Sequence, residues 1–261
     1  MEIIFLGSGT SHGVPMIGCN CSVCTSDNPL NRRSRPSIAV RSDSGAILID
    51  TAPELRLQSI ACGLNSLDAV LYTHSHADHL MGLDDLRRFN DISGRELPIY
   101  ADAATLEDIQ RAFRYVFTPT QAGGGKPRLS LHEIQPGQCF SLCGINIESM
   151  YVYHGDLPVL SYLFTNPPSG STVAYVTDVS RIPQESMQKL YGLSLLILDA
   201  VRYEPHPTHF GLWQALEIIE ELKPERALLT HLSHRFDHNT LLQETPPHVA
   251  PAYDGLCVTL L

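Results

Sequence analysis

The run His74-Ser75-His76-Ala77-Asp78-His79 puts four side chains able to hold a metal ion within six residues. If the chain is extended at its start, His74 and His76 project to the same side and can share one ion. Asp78 and His79 are neighbours and must point apart unless a turn begins there. A helix starting at about Asp78 would aim both at a second ion beside the first. Imidazole with carboxylate suits Zn, Fe or Mn. Random draws from this composition give the pattern in roughly one chain in a thousand, so a loop of solvated histidines is the weaker reading.

Four ligands do not complete two sites. His154, Asp178 and His231 each follow an apolar run, namely 145–153, 172–177 and 226–230. They are the candidates for the remaining ligands, and Asp178 could bridge both ions. Asp50 closes another apolar run. Its expected role is to accept a hydrogen bond that orients a ligand or a bound water. The plainer alternative is a turn or N-cap aspartate before Pro53.

A second cluster lies near the start. Cys19, Cys21 and Cys24 have C-x-C-x2-C spacing, and a structural zinc wants four ligands in a closed tetrahedron. His234, three residues after His231, is the natural fourth. One short loop would then carry a catalytic-ion ligand and a zinc ligand back to back. It would tie the glycine loop, 7–18, to the strand end bearing His231, with the zinc loop at about 18–35. The zinc is expected to stiffen one wall of the pocket and to do no chemistry. Cys62, Cys139, Cys143 and Cys257 read as small buried hydrophobes.

The elements that must position these residues are short and alternate in type. Strands are expected at 3–6, 37–41, 46–50, 68–73, 145–153, 161–165, 172–177, 195–199 and 226–230. Helices are expected at 53–62, 80–89, 102–117, 183–191 and 210–222. With no linker between the halves, the chain reads as one α/β domain over 1–261, and two sheets between helices would suit its length. Thr118–Arg128 carries three glycines and two prolines and is the best candidate for a long mobile loop. Its Gly-Gly-Gly-Lys-Pro is not a phosphate-binding P-loop, since Pro127 stands where Ser or Thr belongs.

Composition sets the outer limits. The 261 residues are 43% hydrophobic and 18% charged, which excludes a disordered chain. A formal charge of −10 makes a poor general binder of nucleic acid or anionic membrane. No run approaches the roughly 20 apolar residues of a membrane span. Met1–Leu6 has an acid where a signal peptide wants basic residues, so the expected location is the cytoplasm. Arg32-Arg33-Ser34-Arg35 is the only basic cluster and reads as a solvated loop.

The His74–His79 run with His154, Asp178 and His231 resembles the metallo-β-lactamase superfamily. Gly18-Cys19-x-Cys21-x-x-Cys24 and Thr230-His231-Leu232-Ser233-His234 resemble its PhnP subgroup, the cyclic phosphodiesterases of phosphonate breakdown. The start Gly7-Ser8-Gly9-Thr10-Ser11-His12-Gly13-Val14-Pro15 and Leu48-Ile49-Asp50 fit it too. The resemblance runs from Gly7 to about Gly255. The cysteine motif also occurs in the related pyrroloquinoline-quinone biosynthesis B proteins, so it does not fix the substrate.

This resemblance implies a four-layer αββα sandwich with two divalent ions (Mn, Zn or Fe) at one edge of the sheets. It implies one ion on His74, His76, His154 and Asp178, and the other on Asp78, His79, Asp178 and His231. It also implies a structural Zn on Cys19, Cys21, Cys24 and His234. In the subgroup a further histidine, on a loop before a late helix, acts near the leaving group. His209 is taken for that role, with His206 as the alternative. The implied activity is hydrolysis of a small phosphodiester, cyclic ones included, by a metal-activated hydroxide, with Asp78 and His209 as catalytic residues. A histidine, with an ordinary pKa of about 6.5, can protonate the leaving alkoxide. Thioester or lactone hydrolysis, a pyrroloquinoline-quinone-biosynthesis-B-like role and a non-catalytic metal-binding protein are the rival readings. Substrate specificity is expected in 118–128 and in arginines such as Arg87, Arg88 and Arg114. No membrane and no long nucleic acid are expected as partners, and a homodimer would suit the family.

Overall fold

In β1 (Glu2–Gly7) the side chains alternate between two cores. Ile3 and Phe5 enter one, while Ile4 and Leu6 enter the other. Both faces of the strand are therefore covered. The structure is a computed structural model and describes residues 1–119 and 125–260.

β2 (Ser37–Ser42) and β3 (Gly45–Ile49) follow β1 as an antiparallel meander. β4 (Ala69–Leu71), β5 (Leu97–Ala101) and β6 (Leu129–Glu133) then add in parallel. The second sheet repeats this plan. β7 (Cys139–Leu142), β8 (Ile145–His154), β9 (Leu157–Thr165) and β10 (Thr172–Val176) pair antiparallel. β11 (Leu195–Asp199), β12 (Ala227–Thr230) and β13 (Val249–Pro251) add in parallel. β14 (Cys257–Thr259) returns to the first sheet beside β1. Both seven-stranded sheets thus share one sequence of pairings, β14-β1-β2-β3-β4-β5-β6 in one and β7-β8-β9-β10-β11-β12-β13 in the other. The chain ends meet at this edge, where the Met1 amine donates to the Leu260 carbonyl at 3.1 Å.

The first sheet is covered by α1 (Leu55–Ala61), α2 (Ala77–Leu80), α3 (Arg87–Ser93), α4 (Ala103–Ala112) and α5 (Arg114–Phe117). The second is covered by α6 (Gln184–Met187), α7 (Leu212–Leu222) and α8 (His238–Glu244). A third core, including Phe5, Ile47, Leu71, Tyr162, Tyr175 and Ile197, lies between the sheets. Three cores between four layers make the αββα sandwich. In α7, Leu212, Ala215, Ile219 and Leu222 are buried on one face at helical spacing. No helix among the described residues is long and apolar enough to cross a membrane.

Several elements differ from the sequence reading. The helix expected at 80–89 is α2, a 3-10 turn at Leu83–Leu86 and α3. The break falls at Gly82, where a Cβ would lie 2.1 Å from the carbonyl oxygen of Ala52. The helix expected at 102–117 splits at Phe113 into α4 and α5, and that expected at 183–191 forms only α6. β5, β6, β13 and α8 were not anticipated. Residues 120–124 of the glycine-rich 118–128 stretch lie outside the described residues.

Candidate active site

Strand ends from both sheets converge at one edge. Asp50 follows β3, Thr73–His79 follow β4, His154 ends β8, Asp178 follows β10, Asp199 ends β11 and His231 follows β12. Asp50, Asp178 and His231 have left-handed φ angles of 64°, 54° and 58°. That conformation costs a non-glycine residue roughly 1–2 kcal/mol, and here it turns each chain sharply out of its strand. α2 begins at Ala77 with His76 still extended at its N-cap. His76 therefore lies on extended chain, and Asp78 and His79 sit in the first helical turn.

Asp78, His79, Asp178 and His231 form one group whose ligand atoms all lie within 4.8 Å of one another. His79 Nε2 is 3.4 Å from Asp78 Oδ2 and 3.2 Å from Asp178 Oδ1. His231 Nε2 is 3.6 Å from Asp78 Oδ2 and 3.5 Å from Asp178 Oδ1. His74, His76 and Asp178 form a second such group, with His74 Nε2 at 3.8 Å from Asp178 Oδ2. Asp178 is common to both. His154 groups with Asp178 and His209, its ring 5.2 Å from that of His76.

The outer nitrogens of His74, His79 and His154 are committed elsewhere, whereas His231 Nδ1 is buried without a hydrogen-bond partner. His79 Nδ1 donates to Asp50 Oδ2 at 2.7 Å. Thr73 Oγ1 donates to Asp50 Oδ2 at 2.8 Å and lies 2.9 Å from His74 Nδ1. His154 Nδ1 donates to the Thr208 carbonyl at 2.7 Å. Each bond leaves Nε2 as the basic nitrogen. The Nε2 atoms of His74, His79 and His231 are buried without a hydrogen-bond partner. Such orphaned acceptors beside two carboxylates fit divalent cations and fit little else. Without metal, the carboxylates draw positive charge to the same place. Burial pushes His74 well below its ordinary pKa, while Asp178, Asp78 and Asp50 outweigh burial and hold His79 well above.

Cys19, Cys21, Cys24 and His234 form a third group. His234 Nδ1 is 3.3 Å from Cys19 Sγ and 3.4 Å from Cys21 Sγ. Tetrahedral zinc, at about 2.3 Å from sulfur and about 2.0 Å from nitrogen, asks for ligand separations of roughly 3.5 Å. Two backbone amides also point at sulfur, Cys24 N to Cys21 Sγ at 3.4 Å and Met16 N to Cys24 Sγ at 3.3 Å. Val14 and Val23 pack around the group as a small core of their own. Cys62 and Cys143 are half-buried, but Cys139 and Cys257 are exposed, so burial as hydrophobes does not explain those two.

His209 is buried at the edge of the cluster. Its Nδ1 donates to Asp199 Oδ2 at 2.7 Å, and its ring lies 4.5 Å from that of His154 and 4.8 Å from that of His231. His206 stands further out, with Nδ1 near the Thr208 amide and hydroxyl at 3.3 and 3.2 Å. A cleft of about 320 Å³ runs from His209 and His231 past His206 and Arg202 to His12 and Arg235. No carboxylate is among its described lining residues.

Two further expectations need correction. Arg87 and Arg88 line a separate cavity against α1, and the arginines lining the cleft are Arg202 and Arg235. The basic cluster is not a solvated loop throughout, because Arg33 is 1% exposed and bonded to backbone carbonyls. Asp199 is absent from the sequence reading of the site, although it ends an apolar run as Asp50 does, and that is the available signal. The Thr208 carbonyl is backbone and leaves no trace in residue types.

Residues 46–232 match the model of the beta-lactamase superfamily domain. The chain belongs to the metallo-β-lactamase superfamily. Within this superfamily it is PhnP-like. The crystal structure of a new diphosphatase from the PhnP family has a TM-score of 0.89 and 39% identity to this chain, covering 98% of it and 96% of that protein. An octanoyltransferase from Porphyromonas gingivalis (strain ATCC BAA-308 / W83) is 39% identical over 259 residues, 98% of this chain. The chain spans 51% of that relative's length. A coenzyme PQQ synthesis protein B from Methylorubrum extorquens (strain PA1) is 32% identical over 226 residues, 78% of this chain and 74% of that one. The superfamily model and the PhnP-family diphosphatase support a metal-dependent hydrolase.

Proposed function

We propose that the chain hydrolyses small phosphodiesters, cyclic ones included, with His209 supplying the leaving alkoxide's proton. The observation that carries this reading is the Asp199–His209 pair at 2.7 Å, beside the ligand groups and facing the cleft. The ligand assignment takes His74, His76 and Asp178 for one divalent ion, with His154, which groups with Asp178 and His209, as its further ligand, and Asp78, His79, Asp178 and His231 for the other. Cys19, Cys21, Cys24 and His234 would hold a structural Zn. When bound, two ions such as Mn, Zn or Fe lower the pKa of a water to near neutral and offset the charge that builds on phosphate.

The chain's own residues do the rest. Asp50 fixes His79 directly and His74 through Thr73, so both present Nε2. Asp199 accepts from His209 Nδ1 and stabilises the imidazolium, whose Nε2 proton then passes to the departing oxygen. Arg202 and Arg235 make the cleft attractive to an anion although the whole chain is acidic at −10. That overall charge favours a small substrate over a long polyanion. The PhnP-family relative is described as a diphosphatase, which supports phosphorus as the atom attacked. Free thiols suit the cytoplasm, and a homodimer would suit the family.

A second reading, acyl thioester hydrolysis, is favoured by the octanoyltransferase relative. A thiolate leaves without a proton, so that reaction has no need of His209. The deciding experiment is a panel of 2′,3′-cyclic nucleotides, ribose cyclic phosphates, nucleoside diphosphate esters and octanoyl and glutathione thioesters, using metal-reconstituted protein. Phosphodiester turnover that His209→Ala abolishes supports the first reading. Thioester turnover that outruns every phosphorus substrate and survives His209→Ala overturns it.

A further inference from the structure

Arg33 is the largest fully buried side chain among the described residues, and no carboxylate pairs with it. Its Nη1 donates to the Phe236 carbonyl at 2.9 Å and the Ser233 carbonyl at 3.1 Å, and its Nη2 lies 3.5 Å from Asn31 Oδ1. Its backbone bonds Val14 in both directions, at 2.7 and 2.8 Å. Its stem passes under the glycine loop, where a Cβ on Gly9 would come within 2.8 Å of the Arg33 Cβ. Burial lowers its pKa to about 10, so the group stays charged at neutral pH.

The turn it grips is the one that matters to both metal sites. Ser233–Phe236 contains His234, which faces Cys19 and Cys21, and follows His231, which faces Asp78 and Asp178, by one residue. The same turn is tied to the glycine loop by Leu232 N donating to the Ser8 carbonyl at 2.9 Å. Asn31 closes its far side, donating to Asp237 Oδ2 at 2.7 Å and accepting from His238 N at 2.8 Å.

We propose that Arg33 is a positioning residue that fixes the separation of His231 from His234 and so locks the cysteine site to the catalytic edge. This rests on the reading that these groups hold metal. A planar guanidinium reaches two carbonyls from one nitrogen while its second arm meets Asn31; an ammonium on a flexible stem does not reproduce that fork. Removing it strips the buried Phe236 carbonyl of its guanidinium donor and leaves the Ser233 carbonyl only the Phe236 amide at 3.3 Å, in the turn that must hold both histidines.

The test uses full-length, zinc-loaded protein and a colorimetric chelator in excess, with Arg33→Met, Arg33→Lys and Val258→Ala. Val258 is buried on β14, remote from the turn, and controls for general destabilisation. The expected result is zinc release about 10-fold faster in Arg33→Met than in the parent. Arg33→Lys should fall between, and Val258→Ala should match the parent at equal distance below its melting temperature. The Mn concentration for half-maximal turnover should rise in the same order. Release at the parent rate from folded Arg33→Met overturns the proposal; should that variant not fold, parent-like release from Arg33→Lys overturns it. Zinc release needs no substrate, so failure of the phosphodiesterase reading would show separately, as a parent protein inert on every phosphorus ester.

Discussion

Asp199 stands between two histidines of different duty, with Oδ2 at 2.7 Å from His209 Nδ1 and Oδ1 at 3.9 Å from His231 Nδ1. It also accepts from the Val179 amide at 3.0 Å, which pins it to the chain beside Asp178. Asp199→Asn keeps the shape and removes the carboxylate charge that faces His209 Nδ1. The expected outcome is a fall in kcat of about 100-fold for substrates with alkoxide leaving groups. With p-nitrophenolate, which leaves without a proton, the fall should be much smaller. Rates across a leaving-group series check this, and equal losses throughout would remove the general-acid role.

Asp78 touches both His79 and His231. Asp78→Ala should abolish hydrolysis of bis-p-nitrophenyl phosphate and lower the bound metal by about one ion per chain. Elemental analysis beside the rate decides the matter. Parent-like turnover would exclude Asp78 from the machinery.

Asp50 is fully buried and accepts from the Thr73 amide, the Thr73 hydroxyl and His79 Nδ1, at 2.8, 2.8 and 2.7 Å. Asp50→Ala strands all three donors, so a loss of about 3 kcal/mol or more is expected. Asp50→Asn should cost less, because asparagine tolerates the left-handed backbone and keeps one acceptor. Urea unfolding of the two variants gives the comparison. Two equal losses would show that the carboxylate's charge, absent from both variants, sets the cost, and not the acceptor or the backbone conformation.

The thiols of the cysteine site differ in acidity in metal-free protein. The Cys24 amide, with His234 and Cys19 close by, lowers Cys21 to about 6, whereas burial lifts Cys24 to about 11. Cys21 is then mostly thiolate at pH 7 and loses reactivity as pH falls through about 6, while Cys24 stays protonated and slow. Iodoacetamide labelling read by peptide mass spectrometry should follow that order, and added zinc should protect both. Cys21→Ser should lower the melting temperature and the rate together. An unaltered melting curve and rate would mean that the site does not brace the pocket.

The site was more legible than the frame that carries it. The His74–His79 run and the cysteine triplet are local in sequence, so spacing alone gathers them. Asp178 and His231 showed because each terminates an apolar run, a mark that strand ends leave even without an alignment. β5 was hidden because Pro98 argues against a strand, and in β9 Pro158 masked the first residues so that only 161–165 stood out. The split of the helix at Gly82 depends on the Ala52 carbonyl, thirty positions away, and no local pattern carries that contact. Arg33 misled for the same reason. A basic run looks solvated until the distant turn at Ser233 folds over one of its members.

Met1 and Leu260 exchange hydrogen bonds where β14 lies against β1, so residues 1 and 260 lie side by side. β1 runs from there toward the glycine loop, so both extremities sit at the rim opposite the cleft. A circular permutant joined across that short gap, and reopened in a surface hairpin, keeps every ligand in its native strand order. By the same token, a fusion partner attached at either extremity hangs from the far side and leaves the mouth of the cleft unobstructed.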